Sequence, residues 1–243
     1  MLLPCQAAAL RRFCERDPEV AARVHCVIGL FCGHTSQREL LRKVLGKDGI
    51  AFSDIVFYRF RRGAWRGESR TVLRDGRELV RPSARYLLYQ NLFILSARRC
   101  LHCFDHFAER ADISCGDIWN LKYRRAAGKP SMTASRTEVG EAILQRVVAA
   151  GVLTAETVSQ EALFRANCRS AVYHKAVAAR AAAYRRYGVT VKVPEGAAAP
   201  RWNELLAARI VAKTACADPD KMLRMPRRLL KIRLYIMKAL TSF

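Results

Sequence analysis

The first part of the chain alternates short apolar runs with amphipathic segments. Residues 24–31 form a continuous apolar run, which predicts a strand buried on both faces. Residues 7–13 before it and 36–45 after it have the composition of helices. A turn containing a cysteine lies before each predicted helix, with Cys5 in the first turn and Cys32 in the second. Repeated strand–turn–helix units predict an α/β sheet with a site at its strand ends.

The start of the second helix is predicted at Ser36, because Ser36 suits an N-cap and Glu39 would complete a capping box. Later segments continue the mixture of strands and helices. The predicted elements are strands over 54–60 and 112–115, a hairpin of 65–73 and 78–81 around Asp75–Gly76, and helices over 86–97, 137–150 and 167–187. The predicted fold class is therefore α/β, a mixed sheet flanked by helices.

The pattern changes after residue 193. Residues 194–200 are rich in Pro, Gly and Ala, as in a linker, and the chain from Trp202 onward is helical and basic. We therefore predict a domain over 1–193 and a linker with a basic amphipathic helical extension over 194–243. This C-terminal extension either packs on the domain or lies on an anionic membrane surface.

The charge is strongly positive, with 43 Lys and Arg against 21 Asp and Glu and a net charge of +22. Such a field attracts polyanions, although the arginines are scattered, which is equally consistent with a solvated surface. Neither an aromatic RNA-binding motif nor a major-groove helix pattern is present, so we expect no specific nucleic acid partner. No apolar run approaches the roughly 20 residues that span a bilayer.

The nine cysteines are the main candidates for chemistry. Their number is odd and we find no secretory signal before them, so we expect reduced thiols or metal ligands in the cytoplasm rather than a disulfide scaffold. A peripheral membrane location through the basic extension remains the alternative.

Cys100-x-x-Cys103 is the strongest local motif, because this spacing lets two thiolates face one metal centre. The same spacing occurs in zinc sites, for which His102 and His106 would be further ligands. Cys5 and Cys32 are the better partners, since neighbouring strand ends lie close in an α/β sheet. Together the four thiols would suffice for a cubane cluster.

Four segments carry a family resemblance. Residues 3–11 (LPCQAAALR), 29–34 (GLFCGH), 99–105 (RCLHCFD) and 111–119 (ADISCGDIW) resemble, in the same order, motifs of the coenzyme F420 hydrogenase/dehydrogenase beta-subunit family. The resemblance covers roughly residues 2–190 and corresponds to the C-terminal region of that family.

The resemblance implies an iron–sulfur flavoprotein that binds FAD and a [4Fe-4S] cluster and exchanges electrons with coenzyme F420, ferredoxin or another acceptor. It implies that Cys5, Cys32, Cys100 and Cys103 hold the cluster and that a turn at Gly116–Asp117 lies near the flavin. A glycine there would permit close backbone approach, and the Asp117 carboxylate would accept hydrogen bonds. The alternative for Asp117 is a helix N-cap.

Family members usually carry a preceding flavin-contacting region, which this sequence lacks. We therefore expect an N-terminally truncated subunit whose partner is a flavin-bearing region or a separate redox subunit. The expected function is an oxidoreductase subunit or fragment that relays electrons between the cluster and a flavin. The alternatives are a zinc-stabilised module that binds anionic partners, or an inactive fragment.

Overall fold

The computed structural model describes residues 1–63, 67–119, 123 and 130–242. The predicted class is confirmed, since this part of the chain is a mixed α/β structure with helices at its C-terminal end. The helices are α1 Pro4–Cys14, α2 Pro18–Arg23, α3 Arg38–Gly46, α4 Ala84–Gln90, α5 Arg98–His102, α6 Glu138–Ala149, α7 Gln160–Lys175, α8 Val177–Arg185, α9 Trp202–Ala215, α10 Pro219–Arg224 and α11 Arg227–Leu240. The strands are β1 Ile28–Leu30, β2 Ile55–Arg62, β3 Glu68–Leu73, β4 Glu78–Pro82, β5 Ile113–Asp117 and β6 Ser131–Ser135.

The chain forms two compact units that interleave along the sequence. The first unit contains the described residues of 1–33, 103–121 and 129–175, and the second contains those of 34–102, 122–128 and 176–243. The predicted domain boundary at residue 193 stays a prediction.

The sheet of the first unit has the order β1-β5-β6, with β1 and β5 parallel and β5 and β6 antiparallel. Leu2 adds a parallel bridge to Gly29 on the other side of β1. β1 is shorter than the apolar run predicted, because α2 extends to Arg23 and Val24 is its C-cap. No side chain larger than glycine fits at position 29, since a Cβ there would lie 2.4 Å from the Ala108 Cβ.

Asp112 ties the elements of the first unit together. Its carboxylate accepts hydrogen bonds from the Val27 amide at 2.7 Å, the Thr137 hydroxyl at 2.9 Å and the Arg11 guanidinium at 2.5 Å. Thr137 is also the N-cap of α6, because its hydroxyl accepts from the Gly140 amide. One buried carboxylate thus connects α1, the start of β1 and the first turn of α6.

The second unit contains the antiparallel sheet β2-β3-β4. β3 and β4 form the predicted hairpin, and Gly76 supplies the left-handed backbone, with φ 83°, that its turn requires. The predicted start of β3 at Trp65 lies outside the described residues.

Three predicted helix boundaries in this structure were wrong. α3 has Gln37, not Ser36, as its N-cap, and Glu39 pairs with Arg42 instead of completing a capping box. The helix expected over 86–97 ends at Gln90, because Phe93 and Leu95 adopt positive φ values that a helix cannot contain. The helix expected over 167–187 is two helices, α7 and α8, separated at Ala176.

The C-terminal helices belong to the second unit. Leu230 and Leu234 on α11 are buried with Leu40, Leu88 and Leu92, so one face of the basic helix is part of a core. The predicted linker, 194–200, contains neither helix nor strand. Among the described residues, no helix is both long and apolar enough to cross a membrane.

Candidate functional site

The candidate site of the first unit lies where three parallel segments end at one edge of its sheet. Leu2 pairs with Gly29, and Gly29 pairs with Ser114. Cys5, Cys32 and Asp117 each follow their paired residue by three positions. Because the three segments run parallel, the residues that follow these pairs leave the sheet at the same end. Cys5 does so in the first turn of α1, Cys32 after β1, and Asp117 as the last residue of β5. The sequence-predicted residues Cys5, Cys32 and Asp117 therefore share one end of the sheet.

The loop after α5 lies alongside the Cys32 segment of the first unit. The Cys32 amide donates to the His106 carbonyl at 2.9 Å, and the His106 Nδ1 lies 3.0 Å from the Cys32 carbonyl. This reciprocal pair joins Cys32 to the loop that begins at Cys103. Phe107 also packs edge-on against the Phe31 ring, with 5.1 Å between centroids.

His174 forms a second link between the two cysteine segments. Its Nδ1 lies 3.0 Å from the Cys103 carbonyl, and its Nε2 bonds the Gly33 carbonyl. Both partners are carbonyl oxygens, which only accept, so the imidazole makes both bonds when each nitrogen carries a hydrogen. His174 is 1% exposed. A single buried ring therefore holds the Cys32–Gly33 and Cys103 backbones together.

Asp105 shapes the loop itself. Its carboxylate accepts from the amides of Phe107 and Glu109, both at 2.9 Å, while the Cys103 thiol donates to the Asp105 carbonyl. Burial raises the pKa of Asp105, and the two amide bonds oppose this only in part. Burial likewise lowers the pKa of His106, which is consistent with a neutral ring in the interior.

The fourth predicted ligand, Cys100, belongs to the second unit. It is buried on α5, and its sulfur accepts a hydrogen bond from the Thr35 amide at 3.3 Å. The next residue, Leu101, receives a hydrogen bond at its carbonyl from Arg180, which is fully buried. An amide–sulfur bond of this kind is one of the features that stabilise a cysteine thiolate in iron–sulfur sites.

The thiols themselves are not gathered into a formed metal site. Within the described part of the chain, no three His, Cys, Asp or Glu side chains form a group that could hold a metal ion. Cys5 is exposed, Cys32 and Cys103 are half-buried and Cys100 is buried. The backbone thus brings the Cys5, Cys32 and Cys103 segments together, whereas a shared centre for their sulfurs stays a prediction.

The first two thirds of the chain match one protein family. Residues 1–161 match the family model that describes the C terminus of the coenzyme F420 hydrogenase/dehydrogenase beta subunit. The chain belongs to this family. The resemblance predicted from the four motifs is therefore confirmed, and the F420 beta-subunit family supports a redox role.

A solved structure has the same fold. A chain of the F420-reducing [NiFe] hydrogenase complex from Methanosarcina barkeri, solved with xenon derivatization, matches with a TM-score of 0.51 and 19% identity. The match covers 81% of this chain and 64% of that chain, so this chain spans less than two thirds of its neighbour. No curated protein matches.

The F420 beta-subunit motif around Gly116 has a different local structure from the one predicted. Gly116 and Asp117 are the last residues of β5, paired with Met132 and Ser131, so neither a turn nor a helix N-cap forms there. A Cβ at Gly116 would lie 2.5 Å from the Phe31 ring. The glycine is thus required by packing against Phe31, and contact with a flavin stays a prediction.

His174 was not predicted from the sequence. It lies on α7, more than a hundred residues from Gly33, in a helix whose buried residues also include Ala171, Val172 and Tyr173. No local motif marks a histidine that acts through two backbone carbonyls. A polar residue inside an apolar helix face was the available indication.

Proposed function

We propose that this chain is an electron-relay subunit in which Cys5, Cys32, Cys100 and Cys103 bind one [4Fe-4S] cluster. The observation that carries the proposal is the parallel pairing of Leu2 with Gly29, because the segments of Cys5 and Cys32 then leave the sheet at the same end. Membership of the F420 beta-subunit family supports the same ligand set. Cys100 is joined to Cys103 by two residues, which limits their Cα separation to about 11 Å.

The donor set fits the cluster in chemistry and number, since four thiolates are the usual ligands of a [4Fe-4S] centre. The cluster, when bound, exchanges single electrons, and a flavin beside it handles electron pairs. The protein residues position the ligands. His174 and His106 hold the Cys32 and Cys103 segments by their backbones, and the Thr35 amide donates to the Cys100 sulfur.

FAD is the proposed second cofactor, near Gly116 and Asp117. These residues end the strand next to the one that leads to Cys32, which supports a flavin near the cluster. A flavin-bearing region or a separate redox subunit would complete the flavin site. Coenzyme F420 or ferredoxin is the proposed external electron carrier, and the cytoplasm, where reduced thiols persist, is the proposed location.

Anaerobic purification tests the cluster directly. The chain is expected to be brown, to absorb near 400 nm and to contain about four iron and four sulfide ions per chain. Replacing Cys5, Cys32, Cys100 or Cys103 by serine is expected to lower the iron content severalfold. Cys14→Ser is the matched control, because Cys14 is half-buried at the end of α1 and is expected to retain the iron.

The same purification distinguishes the alternatives. A colourless protein with about one tightly bound zinc would support the zinc-stabilised module instead. A folded protein that takes up neither metal after anaerobic reconstitution with iron and sulfide would refute the proposed relay. Added FAD whose fluorescence is quenched by the wild-type chain, but not by Asp117→Ala, would support the flavin site.

A further inference from the structure

The last helix has three distinct faces. At about 100° per residue, α11 places Leu230, Leu234 and Met237 on one face, which packs in the core. Arg227, Lys231 and Lys238 form a second, basic face. Leu229, Ile232 and Ile236 recur at the i, i+3 and i+7 spacing of a third face. We call the third face the exposed apolar stripe, and its flank carries Tyr235.

The exposed apolar stripe is open to solvent. Leu229 is 47% exposed, Ile232 55% and Ile236 46%, and the bordering Tyr235 is 60% exposed. An aliphatic face of this kind is not explained by core packing, because α11 already buries its opposite side. The stripe therefore has the properties of a binding surface.

An aromatic side chain lies near the end of this helix. The Asn203 side-chain amide donates to the Leu240 carbonyl at 2.9 Å, which joins the first turn of α9 to the last residue of α11. Trp202 precedes Asn203 and is 75% exposed. Tyr235 thus borders the aliphatic stripe, and Trp202 is exposed on the first turn of the helix that bonds the end of α11; aromatic residues are enriched at membrane–water interfaces.

The charge next to the stripe is uniformly positive. Residues 222–243 contain six Lys and Arg and no Asp or Glu. Among the residues that the structure describes, Arg227, Arg228 and Lys231 have no ion-pair partner, and all three are exposed. A basic face beside an aliphatic face is the arrangement that binds anionic lipid headgroups while burying apolar side chains in the interface.

We propose that α11 is an interfacial helix that inserts its exposed apolar stripe into the surface of an anionic membrane. A membrane fits better than a protein partner, because a stable protein interface uses about 20–30 residues on each side. The stripe, with Tyr235 and Trp202, offers only a few apolar side chains from α11 and the start of α9. The basic face matches the negative charge of the lipid surface.

Vesicle flotation of the full chain tests this proposal. The protein is expected to float with phosphatidylcholine vesicles that contain phosphatidylglycerol and to stay in solution with phosphatidylcholine alone. The triple change Leu229→Gln, Ile232→Gln and Ile236→Gln is expected to lower the bound fraction about tenfold or more. The pair Arg227→Gln and Lys231→Gln on the basic face is expected to lower it comparably and to weaken its salt dependence.

Val152→Gln with Leu153→Gln is the matched control, because these residues are also exposed and apolar but lie after α6. Circular dichroism verifies that each variant is folded. Trp202 fluorescence is expected to shift to the blue on vesicle binding, and Trp202→Phe should abolish that part of the shift. The proposal is overturned if the wild-type chain does not bind anionic vesicles. It is also overturned if the variants of the stripe and of the basic face are folded and bind these vesicles as well as the control does.

Discussion

Asp112 offers the sharpest test of how the first unit is held together. Three donors converge on its buried carboxylate, from Val27, Thr137 and Arg11. Asp112→Ala would leave the buried Val27 amide without its side-chain acceptor and remove the ion pair, so we expect a loss of about 3–5 kcal/mol of unfolding free energy. Asp112→Asn keeps one acceptor oxygen but loses the charge, and we expect about 1–2 kcal/mol.

The pH dependence follows from the same contacts. Burial alone would raise the pKa of Asp112, but the hydrogen bonds from Val27 and Thr137 and the charge of Arg11 outweigh it, so the folded pKa lies below its ordinary value. The carboxylate therefore stabilises the fold fully above its unfolded pKa of about 4, and this contribution is lost as the pH falls through the folded pKa. The difference between wild type and Asp112→Asn should shrink on acidification.

The assay is guanidinium denaturation at neutral and acidic pH, followed by far-ultraviolet circular dichroism. Asp75→Asn is the control, since Asp75 is an exposed turn carboxylate that bonds its near neighbour Arg77, and its effect should stay within about 0.5 kcal/mol. If Asp112→Ala is no less stable than Asp75→Asn at neutral pH, the connecting role of Asp112 is wrong. A gap between wild type and Asp112→Asn that is constant with pH would refute the pKa argument.

Two further predictions concern packing. Gly116→Ala should destabilise the fold by about 1–3 kcal/mol, because its Cβ would meet the Phe31 ring. Gly46→Ala is the control and should not destabilise the fold, since no atom lies within 4 Å of the added Cβ. Thermal unfolding compares the two variants, and equal melting temperatures would contradict this prediction. Leu230→Ala should lower the free energy of unfolding by about 2–5 kcal/mol, because Leu230 is fully buried. Leu229→Ala, at the exposed neighbouring position, should change it by no more than about 0.5 kcal/mol. Chemical denaturation compares the two variants, and equal losses would show that the helix is oriented differently.

Local sequence patterns predicted the elements whose signals are short-range. The Asp75–Gly76 hairpin and the helix predicted over 137–150, observed as α6, both depend on residues within a few positions. The sequence also placed Cys5 and Cys32 in turns between a strand and a helix. Cys32 does follow β1, whereas Cys5 lies in the first turn of α1. The mixed α/β class followed from the same alternation.

The features that were missed depend on distant parts of the chain. The end of the helix at Gln90 could not be predicted, because the positive φ angles that follow it occur at Phe93 and Leu95. Neither residue is a glycine, so the local sequence gives no sign of a left-handed backbone. Gly116 was predicted to lie in a turn, whereas the structure requires a glycine there because the Phe31 ring occupies the space of a Cβ. His174 bonds carbonyls at Gly33 and Cys103, 141 and 71 positions away, so no window along the sequence could reveal it.

The interleaving of the two units limits how early the first unit can fold during synthesis. β1 has its parallel partner β5 at Ile113, and the two bonds of His174 require most of α7 to be synthesised. Residues 1–33 therefore cannot complete the first unit, and their apolar side chains stay exposed, while residues 34–102 of the second unit are translated. Such long sequence separation slows folding and invites chaperone assistance. Neither unit can be excised as one continuous stretch, so shortened versions ending before residue 175 would lack an intact first unit.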